Sequence, residues 1–169
     1  PVKHEYYRFY KPAGYITTAD DEKGRKTIYD LLPENLHKLK PVGRLDKDST
    51  GLIILTNDGD LINELTHPSA KVPKLYRVSI NGKISQKDID TMYKGIEIEP
   101  GKIAYAQVDV LDFDNSSTVM EIVLHQGLNR QIRKMFEHLG FEVVTLKRVQ
   151  HATITLDGLK RGEFKPIKP

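Results

Sequence analysis

"VGRLDKDSTGLIILTNDGDL", residues 42–61, decides how the rest of the chain is read. Residues 51–55 form an apolar run closed by polar residues on both sides. A run this short, bounded by turn signals, predicts a strand buried on both faces. Asn57-Asp58-Gly59 is a turn, and residues 60–66 put Leu61 and Leu65 on one face of a short helix that closes before Pro68. On the other side of the run, Asp46 lies between Arg44 and Lys47. A lone carboxylate beside a buried strand, flanked by glycines and cations, raises the question of what it is for.

The pattern extends outward from that strand. Residues 6–10 are aromatic and strand-like, and Lys11-Pro12-Ala13-Gly14 stops them. Residues 20–26 are polar and predict an exposed loop; 27–32 predict a helical turn ended by Pro33. Residues 74–80 alternate, with Tyr76, Val78 and Ile80 on one face. Ser85 and Asp88 form a capping box for a helix whose stripe is Ile89, Met92 and Tyr93. Residues 104–113 and 118–125 alternate around Asp114-Asn115-Ser116-Ser117, the pattern of a hairpin. Ile132, Met135, Phe136 and Leu139 mark an amphipathic helix, with Gly140 where its cap belongs. Residues 143–149 and 152–156 predict two further strands. Many strands follow one another directly and helices are few. The expected class is therefore α+β with a mainly antiparallel sheet. A boundary near residues 36–41 would divide a small lobe, 1–40, from a main lobe, 41–169.

Composition narrows the function classes. The 169 residues suffice for a real core, and 38% are hydrophobic, but no apolar run is long enough to span a bilayer. The absence of cysteine excludes disulfides and Cys-based zinc sites and fits a reducing, cytoplasmic compartment. A net charge of +3 and a pI near 9.0 lean weakly toward a nucleic-acid partner. His67 and His151 lack metal-ligand spacing, and no phosphate-binding glycine pattern is present.

Chemistry gathers at three places. Asp46 sits at the edge of an apolar strand, where desolvation would favour its neutral form and a nearby guanidinium would hold it ionised. Spacing alone favours a plainer role, a turn cap or a surface pair with Arg44 or Lys47. Asp48 is a rival acid whose neighbours Ser49 and Thr50 suggest a turn. In "HQGLNRQIRKMFEHLG" Arg133 falls on the flank of the helix stripe, from which its stem can pack while its head reaches a cleft. Arg130 and Lys134 fall on the polar side, suited to phosphates. Taken alone, those charges read sooner as an ordinary solvated face. Tyr76 is by pattern a core residue, although an aromatic ring beside an acid can also stack on a base.

Four ordered segments carry a resemblance. "KPAGY", "GRLDKDSTGLIILTNDG", "LTHPSAKVPKLYRV" and "QGLNRQIRKMFEHLG" closely resemble the bacterial ribosomal RNA pseudouridine synthases of the RsuA type, from about Tyr6 to Ile167. The last segment is most similar to the branch acting on large-subunit RNA. The resemblance implies an α+β pseudouridine synthase fold with a mixed, mainly antiparallel central sheet and a catalytic cleft. It implies Asp46 as the catalytic aspartate, Tyr76 as the ring against the target base and Arg133 as the basic partner of the acid. Arg44 matches the position that fills the space of the flipped nucleotide, and Lys11, Asn129, Arg130 and Lys134 complete an expected RNA-binding set. The expected partner is ribosomal RNA, 23S ahead of 16S, free or in an assembling subunit, bound by a monomer with no membrane. The small S4-type RNA-binding domain usual before the first motif is absent from these residues.

The implied reaction detaches uracil from C1′, turns it and rejoins it through C5, with no net oxidation and no requirement for a cofactor or metal. The base must first be flipped, at a cost of a few kcal/mol. Ionised Asp46 would attack C1′ or remove a sugar proton to give a glycal; sequence leaves both routes open. Two rival classes are a catalytically silent RNA-binding or assembly protein and a carboxylate-dependent hydrolase, which would need a second acid.

Overall fold

The protein, a computed structural model, is described over residues 3–18 and 23–168. In chain order its strands and helices are β1 (Tyr6–Lys11), β2 (Lys40–Pro41), β3 (Thr50–Thr56), α1 (Gly59–Thr66), β4 (Lys74–Asn81) and α2 (Gln86–Lys94). There follow β5 (Ile96–Glu99), β6 (Lys102–Ala104), β7 (Gln107–Phe113), β8 (Ser117–Leu124), α3 (Gln131–His138), β9 (Val143–His151), β10 (Ile154–Thr155) and β11 (Phe164–Pro166). The class is α+β, as expected. The chain divides into two compact units, residues 1–70 with 148–169, and residues 71–147.

In the first unit β1 pairs antiparallel with β3, from Tyr6 opposite Thr56 to Lys11 opposite Gly51. β11 pairs antiparallel with the other edge of β1. This pairing moves the expected boundary: residues 1–40 do not form their own lobe, because their strand is bonded to one beyond residue 41. β3 is buried from Gly51 to Thr56, as an apolar run without alternation requires. Each buried Leu or Ile there contributes roughly 1.5–3 kcal/mol. Gly51 has φ +116°, and a Cβ there would lie 2.2 Å from the Arg148 carbonyl oxygen. Only glycine lets those backbones meet. Asp58 caps α1 by accepting from the Asp60 and Leu61 amides. Thr27 and Asp30 form a reciprocal capping box on the 3₁₀ turn Ile28–Leu31. Of the expected 20–26 loop, residues 20–22 lie outside the described residues and 23–26 are exposed.

In the second unit β4 and β7 flank β8, both antiparallel to it. Tyr76, Val78 and Ile80 are all buried on one face. Ser85 and Asp88 close the capping box of α2. On α3 Ile132, Met135 and Phe136 are buried, and Gly140 follows at φ +88°, the left-handed conformation that ends a helix. The long strand expected over 104–113 is broken: the Tyr105 amide donates to Gln126 Oε1 and the Ala106 amide to the Met92 carbonyl, so the backbone leaves the ladder there. Its first residue, Ala104, belongs instead to the β5–β6 hairpin. The strand expected over 152–156 shrinks to β10, because Ala152 turns the chain at φ +55°. Among the described residues, no helix is long and apolar enough to cross a membrane.

Candidate active site

The turn that presents Asp46 is held from several directions. Gly43 opens it at φ +77°, and the Val42 amide donates to the Ile54 carbonyl of β3 at 2.8 Å. Within it, the Ser49 amide donates to the Asp46 carbonyl at 3.0 Å, and the Gly14 amide to the Lys47 carbonyl at 2.8 Å. Thr17 Oγ1 lies 3.5 Å from the Leu45 carbonyl. Of the two rival acids, Asp46 is half-buried and Asp48 exposed. The half-buried acid on this bonded turn is therefore Asp46. Arg44, two residues before it, is exposed.

Lys11 has a different place from the one the resemblance implied. Its residue is wholly buried, and its ammonium donates to the carbonyls of Ser49 at 2.6 Å, Pro12 at 3.0 Å and Lys47 at 3.2 Å. A side chain so enclosed does not present its charge to an RNA phosphate. Burial pushes its pKa down to about 8, against the opposing pull of the Asp48 and Asp46 carboxylates. Lys11 is thus the internal strut of the turn and a cation for the acids it carries. Its position at the end of β1, opposite Gly51, puts it there.

The second unit supplies the other expected residues. Tyr76 is buried on β4, opposite Ile122 in register. Arg133 is half-buried on α3, on the flank of the apolar stripe, as the wheel predicts. Asn129 and Arg130 are exposed in the loop before α3, and Arg130 adopts a left-handed backbone, φ 51°, ψ 37°. A non-glycine residue in that conformation is held by its surroundings at some cost. Lys134 departs from the expectation of a bare phosphate-binding cation: its ammonium is bonded to Glu99 Oε1 at 2.5 Å, and Lys102 reaches the other oxygen at 3.3 Å. Those two lysines, Lys134 foremost, hold the Glu99 carboxyl below its usual range.

Sequence reasoning missed Gln126, Gln131 and Glu99. Gln131 is buried and Gln126 partly so, and both are fully engaged with backbone, whereas periodicity marks only where apolar residues fall. The hairpin carrying Glu99 did have a signal, Pro100-Gly101 between two alternating runs. Among the described residues, no group of three His, Cys, Asp or Glu is placed to hold a metal ion.

The first unit thus carries a half-buried acid on a hydrogen-bonded turn, and the second an exposed Asn–Arg loop before α3. Residues 5–138 match the family model described as RNA pseudouridylate synthase, and the chain belongs to that family. A protein of Bacillus subtilis (strain 168) named ribosomal large subunit pseudouridine synthase B is 38% identical over 166 residues, 97% of this chain and 68% of that protein. One of Vibrio parahaemolyticus serotype O3:K6 named ribosomal large subunit pseudouridine synthase E is 36% identical over 174 residues, covering 95% of this chain and 72% of that one. A crystal structure of a pseudouridylate synthase is similar at a TM-score of 0.87 and 28% identity, over 98% of this chain and 71% of that chain.

Proposed function

We propose that this chain converts uridine to pseudouridine in ribosomal RNA of the large subunit. The observation that supports the choice of RNA is the 38% identity, over 97% of the chain, to a relative named for the large ribosomal subunit. Asp46 is the reacting acid in this reading, acting on C1′ or on a sugar proton of the flipped nucleotide. Arg133 is its basic partner, and the Tyr76 ring packs against the uracil. Arg44 fills the space left in the RNA, while Asn129 and Arg130 bind the strand and Lys134 stays paired with Glu99. Lys11 serves the site from inside the Asp46 turn rather than at the RNA. The chain works as a monomer in the cytoplasm, on free RNA or an assembling subunit.

The half-burial of Asp46 and the fixed backbone beneath it support its role, since a reacting group must be held in one geometry. Transcribed 23S RNA bearing tritium at uracil C5 gives the test. The wild-type chain releases tritium; Asp46→Asn releases none while keeping the wild-type melting temperature. Appreciable turnover by that variant would refute the assignment. Mapping pseudouridines in ribosomal RNA from cells with and without the gene identifies the uridine.

A further inference from the structure

The segment around β6 carries aromatic surface that the proposed site does not use. Tyr105 and Ile103 are each 46% exposed, and nearby Tyr93 is 64% exposed. Tyr105 is nevertheless rigidly held. Its amide donates to Gln126 Oε1 at 2.8 Å, and its carbonyl accepts from Gln131 Nε2 at 3.1 Å. Gln131 Nε2 also reaches Gln126 Oε1 at 3.0 Å, and Gln126 Nε2 donates to the Ile103 carbonyl at 2.9 Å. The ring lies directly against Gly95, where a Cβ would fall 2.7 Å from Tyr105 Cε1 and 2.8 Å from Ile103 Cγ2. A glycine is required under the ring, and the rest of the ring faces solvent.

The same glutamines join this ring to the loop of Asn129 and Arg130, because Gln131 Oε1 also accepts the Leu128 amide at 3.2 Å. That loop begins after Leu124, which stands opposite Lys74 on β4, two positions from Tyr76. Two residues of strand span about 7 Å. Arg130 therefore lies in the loop that leaves the strand pair carrying Tyr76, and the Tyr105 backbone is bonded to that segment through Gln126 and Gln131. Lys94, exposed beside Gly95, adds a further cation. A pinned, half-exposed aromatic ring among cations matches single-stranded nucleic acid, whose bases offer flat faces and whose backbone is anionic. The exposed charges favour that polyanion over a protein partner, whose contact patch would be poor in lysine.

Building on the proposed synthase activity, we infer that Tyr105 is a stacking platform for an unpaired nucleotide neighbouring the modified uridine, with Arg130 on the adjoining phosphate. This assigns part of target selection to the β5–β6 region, which makes no bond change itself.

Tritium release from transcribed 23S and 16S RNA, measured over a range of RNA concentrations, tests it. Tyr105→Ala raises KM on the order of 10- to 100-fold, the worth of one stacked base, with kcat within about twofold of wild type. Tyr105→Phe and Tyr105→Trp stay close to wild type, because stacking needs the ring and not the hydroxyl. Tyr105→Leu keeps the packing on Gly95 but has no aromatic face, and it is as impaired as the alanine variant. An unchanged KM for the alanine and leucine variants overturns the platform, as does a phenylalanine variant as weak as alanine. A wild-type chain that releases no tritium from either RNA refutes the synthase reading and the platform with it. An active wild type with indifferent Tyr105 variants refutes the platform alone.

Discussion

Replacing Lys11 by methionine probes the turn that carries Asp46. The native ammonium has a pKa lowered from 10.5 to about 8 by burial, which at 1.36 kcal/mol per pH unit is a penalty of about 3 kcal/mol. The sign follows from proton counting. Between pH 8 and 10.5 the unfolded chain holds a proton on this lysine that the native chain has released, so native stability rises with pH through that window. Below pH 8 both states are charged and the penalty is present in full. Methionine has nothing to titrate. It also leaves the Pro12 and Ser49 carbonyls without their amine, while the Lys47 carbonyl keeps the Gly14 amide. Losing the amine at these two carbonyls costs about 2–6 kcal/mol together. At pH 7 the cost and the removed penalty largely offset, and the variant stays within a few kcal/mol of wild type. By pH 10.5 it has fallen behind by about 3 kcal/mol more. Urea denaturation of both proteins at unit steps from pH 7 to pH 10.5 measures the difference and cancels every other titrating group. A gap that stays flat across those steps would mean that the ammonium is not desolvated and does not hold the turn.

Two further substitutions test other parts of the frame. Gly51→Ala places a methyl 2.2 Å from the Arg148 carbonyl oxygen at φ +116°; it should cost more than about 3 kcal/mol, read as a large fall in urea midpoint. Glu99→Gln releases Lys134 and Lys102 from the carboxylate that now occupies both. RNA affinity at low salt should rise, and the dependence of log K on log salt should steepen by up to about 1.4 for two added phosphate contacts to single-stranded RNA. An unchanged slope would place those lysines away from the RNA.

The short-range features were legible because their physics is short-range. The apolar run at 51–55 could only be a doubly buried strand, and it is β3. The stripe of α3, the Ser85–Asp88 box and the alternation of Tyr76, Val78 and Ile80 follow from helical and strand periods that depend on neighbours a few residues away. The half-burial of Arg133 on the stripe's flank follows from the same wheel. Motif order was enough to place the chain in its family, which residues 5–138 then matched.

Other features depend on which distant residues become neighbours. Lys11 is expected from the resemblance to bind RNA, yet pairing β1 with β3 carries it opposite Gly51 and into the interior, where backbone carbonyls take the place of water. Lys134 lost its open charge to Glu99, 35 residues away. Tyr105 left its strand because Gln126, 21 residues on, took its amide. Gly51 is obligatory only because the Arg148 backbone arrives against it. The sequence by itself determined most of the elements and, through its ordered motifs, the family, and it named Asp46 as a candidate acid. Tertiary structure alone decided which cations are buried, which are already paired and which aromatic ring is presented to solvent. Burial and pairing arise from contacts across tens of residues, and no local period encodes them.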